Sequence, residues 1–286
     1  MASYAKAGVM DVFTDLAVAD WALLIISLVA LGGAAGFLAG LLGVGGGIVL
    51  VPGLLFIFQA LGMASESLIH VCVGTSLALI IPNGLMSARA HWKKGAVDFV
   101  LVKAIGIGIL GGVVIGTVVA DILAGPTLQM IFASAVVCLA VLMVANPARF
   151  KLLQAMPPQP WPSVAGAGIG TISTLIGIGG GTLSVPFMSL CNIPIHKAIG
   201  TAAALGVVIA VPAAFGFVII GMGEDGRPPF SAGYVNVLAW FLILPSSLMA
   251  VKAGVWAAHK APVDLMRRVF AGFLVLVAFK MWMDIL

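Results

Sequence analysis

Apolar residues fall into ten long runs, separated by short breaks rich in glycine, proline or charge. The first five predict helices over Trp21–Gly43, Ile48–Leu61, Ser67–Ala88, Val97–Ala120 and Thr127–Val144. Between Ala145 and Pro162 five prolines, at 147, 157, 158, 160 and 162, prevent a helix from continuing, so this stretch reads as a linker. Five more runs follow, at Ser163–Gly177, Thr182–Leu190, His196–Ile220, Ala232–Ala258 and Val263–Leu286. The organisation expected is a tail (1–20), a first transmembrane repeat (21–144), a cytoplasmic linker (145–162) and a second repeat (163–286).

The two halves are copies. Gly43–Pro52, GVGGGIVLVP, returns as Gly177–Pro186, GIGGGTLSVP. At an offset of 134, Gly36, Leu41, Gly43, Gly45, Gly46, Gly47, Val51 and Pro52 fall on identical residues, eight in seventeen positions. Then His70-x3-Gly74-Thr75-Ser76 recurs as His196-x3-Gly200-Thr201-Ala202, GAVDF at Gly95 as GYVNV at Gly233, and Phe132-Ala133 as Phe270-Ala271. Matches that keep their order through both halves mark an internal repeat.

Composition fixes the solvent. Of 286 residues 62% are hydrophobic and 8% charged, with mean hydropathy +1.21, which predicts a polytopic membrane protein. The N-terminus has one Lys against Asp11, Asp15 and Asp20, unlike a signal peptide, and the first run is too long for one. Cys72, Cys138 and Cys191 stand singly and read as small buried hydrophobes.

Charge then sets orientation. If every run switches sides, eleven basic residues (Arg89, Lys93, Lys94, Lys103, Arg149, Lys151, Lys197, Lys252, Lys260, Arg267, Arg268) share one side, against Lys6, Arg227 and Lys280 on the other. That bias assigns the richer side to the cytoplasm. An odd number of crossings per copy makes the repeat inverted, with both termini outside, in the periplasm. Runs six and seven offer only 15 and 9 residues, short of the roughly 20 needed to span. They predict a hairpin that dips in from the cytoplasm and turns at the glycines, and the first copy is expected to turn similarly from outside.

A chain reversal inside a bilayer must satisfy its own backbone or line a watery cavity. Glycines at 45, 46 and 47 and at 179, 180 and 181 permit positive φ and bare N–H groups, and the helix after each points its positive end at the same spot. Two such ends meeting by inverted symmetry would hold an anion without a buried cation. Gly108, Gly112 and Gly116, spaced by four, read instead as packing glycines.

Thr75, Ser76, Thr201 and Thr182 are candidate hydroxyl donors to an anion, or else bond a carbonyl of their own helix. His70 and His196 are candidates for a proton or anion relay, or else interfacial side chains; His91 and His259 fall among basic cytoplasmic loop residues, and Asn83 and Asn192 read as helix caps beside prolines. Lys103 and Lys252 either snorkel or draw anions inward. No Asp or Glu lies at the middle of a run, which disfavours a carboxylate-driven proton antiporter or cation pump. No Walker sequence follows either glycine triplet. No nucleophile, metal cluster or acid/base pair at depth suggests an enzyme, no cofactor is called for, and nothing points to nucleic acid.

The residues that carry a resemblance are GFLAGLLGVGGGIVLVP, GIGTISTLIGIGGGTLSVP and the HxxxGTS/HxxxGTA element. Together they resemble the TauE/SafE family of sulfite exporters over nearly the full chain. The resemblance implies a secondary transporter of small sulfur-containing anions, such as sulfite or organosulfonates, across the bacterial inner membrane, commonly outward. Ala202 in place of Ser76 departs from symmetry. Importer and anion channel remain as alternatives, and sulfite's titration near neutrality, or ~2.3 kcal/mol per charge per 100 mV of membrane potential, are candidate energy sources. The fold class expected is therefore an all-α polytopic membrane protein, an inverted-repeat transporter of two five-segment halves with glycine-interrupted re-entrant or broken helices. Lipid is its surroundings, and a homo-oligomer is left open.

Overall fold

The computed structural model describes residues 18–42, 46–145, 153–258 and 263–284. In chain order the helices are α1 (Val18–Leu42), α2 (Gly47–Ala60), α3 (Leu68–Lys93), α4 (Phe99–Ile122), α5 (Gly125–Ala145), α6 (Trp161–Leu175), α7 (Gly181–Leu190) and α8 (Ile195–Ile220). After a two-residue hairpin, β1 (Ser231–Ala232) and β2 (Val235–Asn236), come α9 (Val237–Ala258) and α10 (Val263–Met283). Among the described residues six helices, α1, α3, α4, α5, α8 and α9, are long and apolar enough to cross a membrane. Their outward side chains, such as Val100, Ile107, Val114 and Val118 on α4, are exposed apolar residues, as a lipid-facing surface requires.

α3 lies at the centre: 72% of its most apolar stretch is buried, against 28% for α1 and for α9. It packs on α8, while α1 runs beside α9, α4 beside α6, and α5 beside α10. Repeat-related positions make the same contacts. A Cβ on Gly32 or Gly36 of α1 would overlap the backbone of Ile243 or Ser247 on α9; on Gly166 or Gly170 of α6 it would overlap Ile105 or Ile109 on α4. Each copy's opening helix thus packs on the other copy's fourth. Gly108, Gly112 and Gly116 do pack, against Ser163, Ala167 and Thr171, which follows from the need for close backbone approach where lipid gives no hydrophobic drive.

Several expectations need correction. Run three does not stop at Ala88: α3 continues to Lys93, so Arg89, His91 and Lys93 ride on a helix, where cations complement the C-terminal dipole. Asn83 caps nothing; it lies mid-α3, buried, and donates to Ser247 Oγ at 2.9 Å. Run nine begins as the β-hairpin, because Gly233 at φ 56° turns the chain, and its helix starts only at Val237. Trp161 and Pro162 belong to the first turn of α6 rather than to the linker, a position where Pro's missing N–H costs nothing. Cys138 is exposed on α5, unlike buried Cys72 and Cys191. His259 and residues 146–152 of the linker lie outside the described residues.

Candidate functional site

The two glycine turns meet. Gly46 takes φ 73°, a left-handed conformation that glycine supplies at no steric cost, and its carbonyl accepts the N–H groups of Val49 and Leu50, both at 3.1 Å, to start α2. A Cβ on Gly47 would overlap the Gly177 carbonyl, Ser76 Oγ and Ile178 Cα, and Ser76 Oγ donates to that same carbonyl at 2.8 Å. Gly177, at φ 60°, rests on Val51 of α2 and Val73 of α3; Gly180 rests on Gly206 and Ile209 of α8. Everything from Ser173 to Thr182 is buried, as is Gly46 to Pro52. Gly45 lies outside the described residues.

Neither helix that leaves these turns carries a side-chain cap. The N–H groups of Gly47 and Ile48, and of Gly179, Gly180 and Gly181, find no acceptor among the described residues. Orphan donors at two buried helix N-termini make a partial positive charge without a cation. The turns are not copies in detail, since Gly180 is right-handed at φ −55° where its equivalent Gly46 is left-handed. They are also packed shut. One cleft of about 320 Å³ lies away from them, between α2, α3 and α5, lined by Leu55, Gln59, Glu66 and Gln129; with Gly47 tight against Gly177 and Ile178, an anion between the described parts of the turns requires them to part.

Of the residues singled out from sequence, Gly46, Gly47, Ser76, Gly179, Gly180, Gly181 and Thr182 lie in or beside this contact. Thr75 and Thr201 each accept a backbone N–H from the other copy. Thr75 Oγ1 accepts the Asn236 N–H at 2.8 Å, and Thr201 Oγ1 accepts the Asp98 N–H at 3.0 Å. Asp98 and Asn236 are the matched positions of GAVDF and GYVNV, and each side chain in turn caps its own helix, on Val100 and Leu101 or on Ala239. Gly74 and Gly200 have no Cβ to collide with the Tyr234 and Ala96 carbonyls. The repeated Gly-Thr is therefore a joint that fastens each copy to the helix start of the other. Reading the two motifs as partners, rather than separately, would have found it.

His70 and His196 part company. His70 is buried; its Nε2 donates to the Ala120 carbonyl at 3.0 Å, its ring stacks on Tyr234 at 5.0 Å, and Nδ1 has no partner. His196 is exposed, next to Lys197, which reaches Asp98 at 3.9 Å. Burial pushes the Tyr234 hydroxyl above its ordinary value, with Glu224 and Asp121 adding and Arg227 opposing. Lys103 and Lys252 are exposed. Among the described residues no three His, Cys, Asp or Glu side chains gather to hold a metal.

One group escaped the sequence reading. Ser173, Thr174 and Ser184 are completely buried, and their hydroxyls have no partner among the described residues. The signal available was their absence from the other copy, where Ala39, Gly40 and Leu50 stand at the same positions.

Residues 28–281 match the family model described as Sulfite exporter TauE/SafE. The chain is 33% identical over 259 residues to a Haemophilus influenzae protein named "Probable membrane transporter protein", covering 91% of this chain and 98% of that one. It is 28% identical to a Bacillus subtilis protein of the same description over 80% of this chain and 86% of that one. For a Methanocaldococcus jannaschii protein so described, identity is 26% over 82% and 87%. No solved structure matches the chain significantly.

Proposed function

The chain belongs to the TauE/SafE sulfite exporter family and is a multi-pass membrane transporter; from that premise we propose that it exports sulfite or a related small organosulfur anion across the bacterial inner membrane by alternating access. The observation that carries this reading is the contact between the turns, Gly47 against the Gly177 carbonyl and Ser76, at two uncapped buried helix N-termini. An oxyanion would take the orphan N–H groups around Gly45 to Gly47 and Gly179 to Gly181. Inverted repeats, with the turns entering from opposite faces and both termini in the periplasm, give that meeting its geometry. The swapped packing of α1 on α9 and α6 on α4 supports such an arrangement. So does the eleven-to-three bias of basic residues.

Closed turns define one end of the cycle. Parting them would break the Ser76–Gly177 bond and expose the N–H groups to one side at a time, while the joints at Thr75 and Thr201 keep each copy attached to the other.

The test is sulfite counterflow in proteoliposomes, with sulfate and taurine as competitors, on the natural protein and on Gly46→Leu and Gly180→Leu. Sulfite flux lost in both variants is the expected result, with a lowered unfolding temperature for Gly46→Leu, whose φ of 73° strains any side chain. Flux that survives in both makes the glycines packing elements and overturns the site.

A further inference from the structure

We infer that the hydroxyl donors that select the anion come from the second copy alone: Ser173, Thr174 and Ser184, around the turn at Gly177–Gly180, hydrogen-bond the oxygens of a sulfite-class oxyanion. The inference rests on the anion site proposed above and adds to it the groups that recognise the ligand.

In an apolar helix bundle the ordinary fate of a hydroxyl is a carbonyl of its own or a neighbouring helix, and this protein follows that rule widely. Ser134 donates to Met130 at 2.8 Å, Thr171 to Ala167 and Gly112 at 3.0 Å, and Ser163 to Ala104 at 2.9 Å. Against that background Ser173, Thr174 and Ser184, each 0% exposed and each unpaired among the described residues, are exceptions, together with Thr117 on α4 and Ser189 on α7. A buried hydroxyl without a partner costs roughly 1–3 kcal/mol, so three within one turn of a single chain reversal call for a partner that comes and goes.

Their placement fits one ligand. Ser173 and Thr174 sit in the last turn of α6, and their carbonyls accept the Ile178 and Gly177 N–H groups, so the chain folds back over them. Ser184 is in the first turn of α7, where side chains lean toward the N-terminus, over Gly180, whose carbonyl already takes Ser184's own N–H at 2.9 Å. Ser184 thus sits beside the orphan N–H groups of Gly179, Gly180 and Gly181, and Ser173 and Thr174 stand on the other arm of the same chain reversal, where the Thr174 Cβ also lies against Gly116 of α4. N–H and O–H donors together suit an anion with several oxygens.

The other copy carries none of this. Ala39, Gly40 and Leu50 replace the three, and Leu55 replaces Ser189, a further buried unpaired hydroxyl on α7. If the donors served helix packing, the matched packing of the first copy would need them too. Repeat symmetry thus supplies the two N-termini, and the second copy supplies the selectivity.

The experiment is sulfite counterflow by the full chain in proteoliposomes, for Ser173→Ala, Thr174→Val, Ser184→Ala and their combination, with unfolding temperature measured alongside. Each single variant is expected to raise the KM for sulfite about tenfold, as loss of one hydrogen bond to a charged ligand does, while unfolding temperature holds or rises because an unpaired polar group has gone. Thr174→Ser should restore the KM that Thr174→Val loses. Ser134→Ala, on the outer face, should change nothing. If KM stays within twofold in all three singles while Gly180→Leu abolishes flux, the hydroxyls are not donors and the inference falls with the turn site intact. If the natural protein moves no sulfite, or Gly180→Leu moves it normally, the anion site itself falls and takes the inference with it. Should the combination fail to fold, the three single variants still decide.

Discussion

The two joints between the copies use the same letters and are sealed differently. At one, Thr75 holds the Asn236 N–H, Asn236 is 2% exposed, and Tyr234, two residues before it, stacks on buried His70. At the other, Thr201 holds the Asp98 N–H, but Ala96 stands where Tyr234 stands, His196 faces outward and the Asp98 side chain is 29% exposed beside Lys197. The repeated residues, Gly and Thr, do a backbone job that must be done twice. The unrepeated ones set how exposed each joint is.

Breaking the backbone job should cost most. A side chain at Gly74 or Gly200 would run into the Tyr234 or Ala96 carbonyl, and neither backbone can retreat without pulling its helix start away. Gly74→Val and Gly200→Val should each destabilise by at least ~1–3 kcal/mol, read as a fall in unfolding temperature in detergent together with loss of folded yield. Unchanged unfolding in both would mean that the close approach is incidental.

Removing the hydroxyl alone separates the two ends. Thr75→Val leaves the buried Asn236 N–H without an acceptor, a penalty of roughly 1–3 kcal/mol. Thr201→Val leaves the Asp98 N–H, which is only partly buried and can take water, so its cost should be no more than about half as large. Equal losses would contradict the difference in sealing. The histidines sharpen the same contrast: His70→Ala forfeits the Ala120 hydrogen bond and the Tyr234 stack, about 1–2 kcal/mol, whereas His196→Ala at an exposed site should stay within ~0.5 kcal/mol. Thermal unfolding of the two variants side by side reads this directly.

Much of this was legible beforehand, for physical reasons. Helix positions followed from apolar runs because lipid demands them. Packing at Gly108, Gly112 and Gly116 followed from spacing. The role of Thr75 and Thr201 was not legible in either motif alone, since each hydroxyl bonds a residue in the other copy that sequence proximity does not suggest. His70 and His196 looked alike because their neighbours in sequence are alike; their burial is decided by Tyr234 and Ala96 from another helix start. Ser173 and Ser184 were passed over because a Ser in an apolar run has an ordinary explanation, and only its missing partner removes it.

The smallest effect concerns the exposed ion pair at the second joint. Lys197 Nζ is 3.9 Å from Asp98 Oδ2, with the lysine side chain 54% exposed, so solvent and salt screen most of the attraction. Asp98 does two things, however: its Oδ1 accepts the Val100 and Leu101 N–H groups, and its Oδ2 faces Lys197. Lys197→Ala should therefore cost no more than ~0.5 kcal/mol and lose even that in molar salt. Asp98→Asn keeps the capping oxygen and should match Lys197→Ala, while Asp98→Ala loses the cap and should cost about 1 kcal/mol at any salt concentration. A double-mutant cycle between Asp98→Asn and Lys197→Ala measures the coupling. A value near zero leaves the second joint resting on its Thr and its cap, whereas a coupling well above 1 kcal/mol would mean that the exposed end is sealed by charge as firmly as the buried end is by its rings.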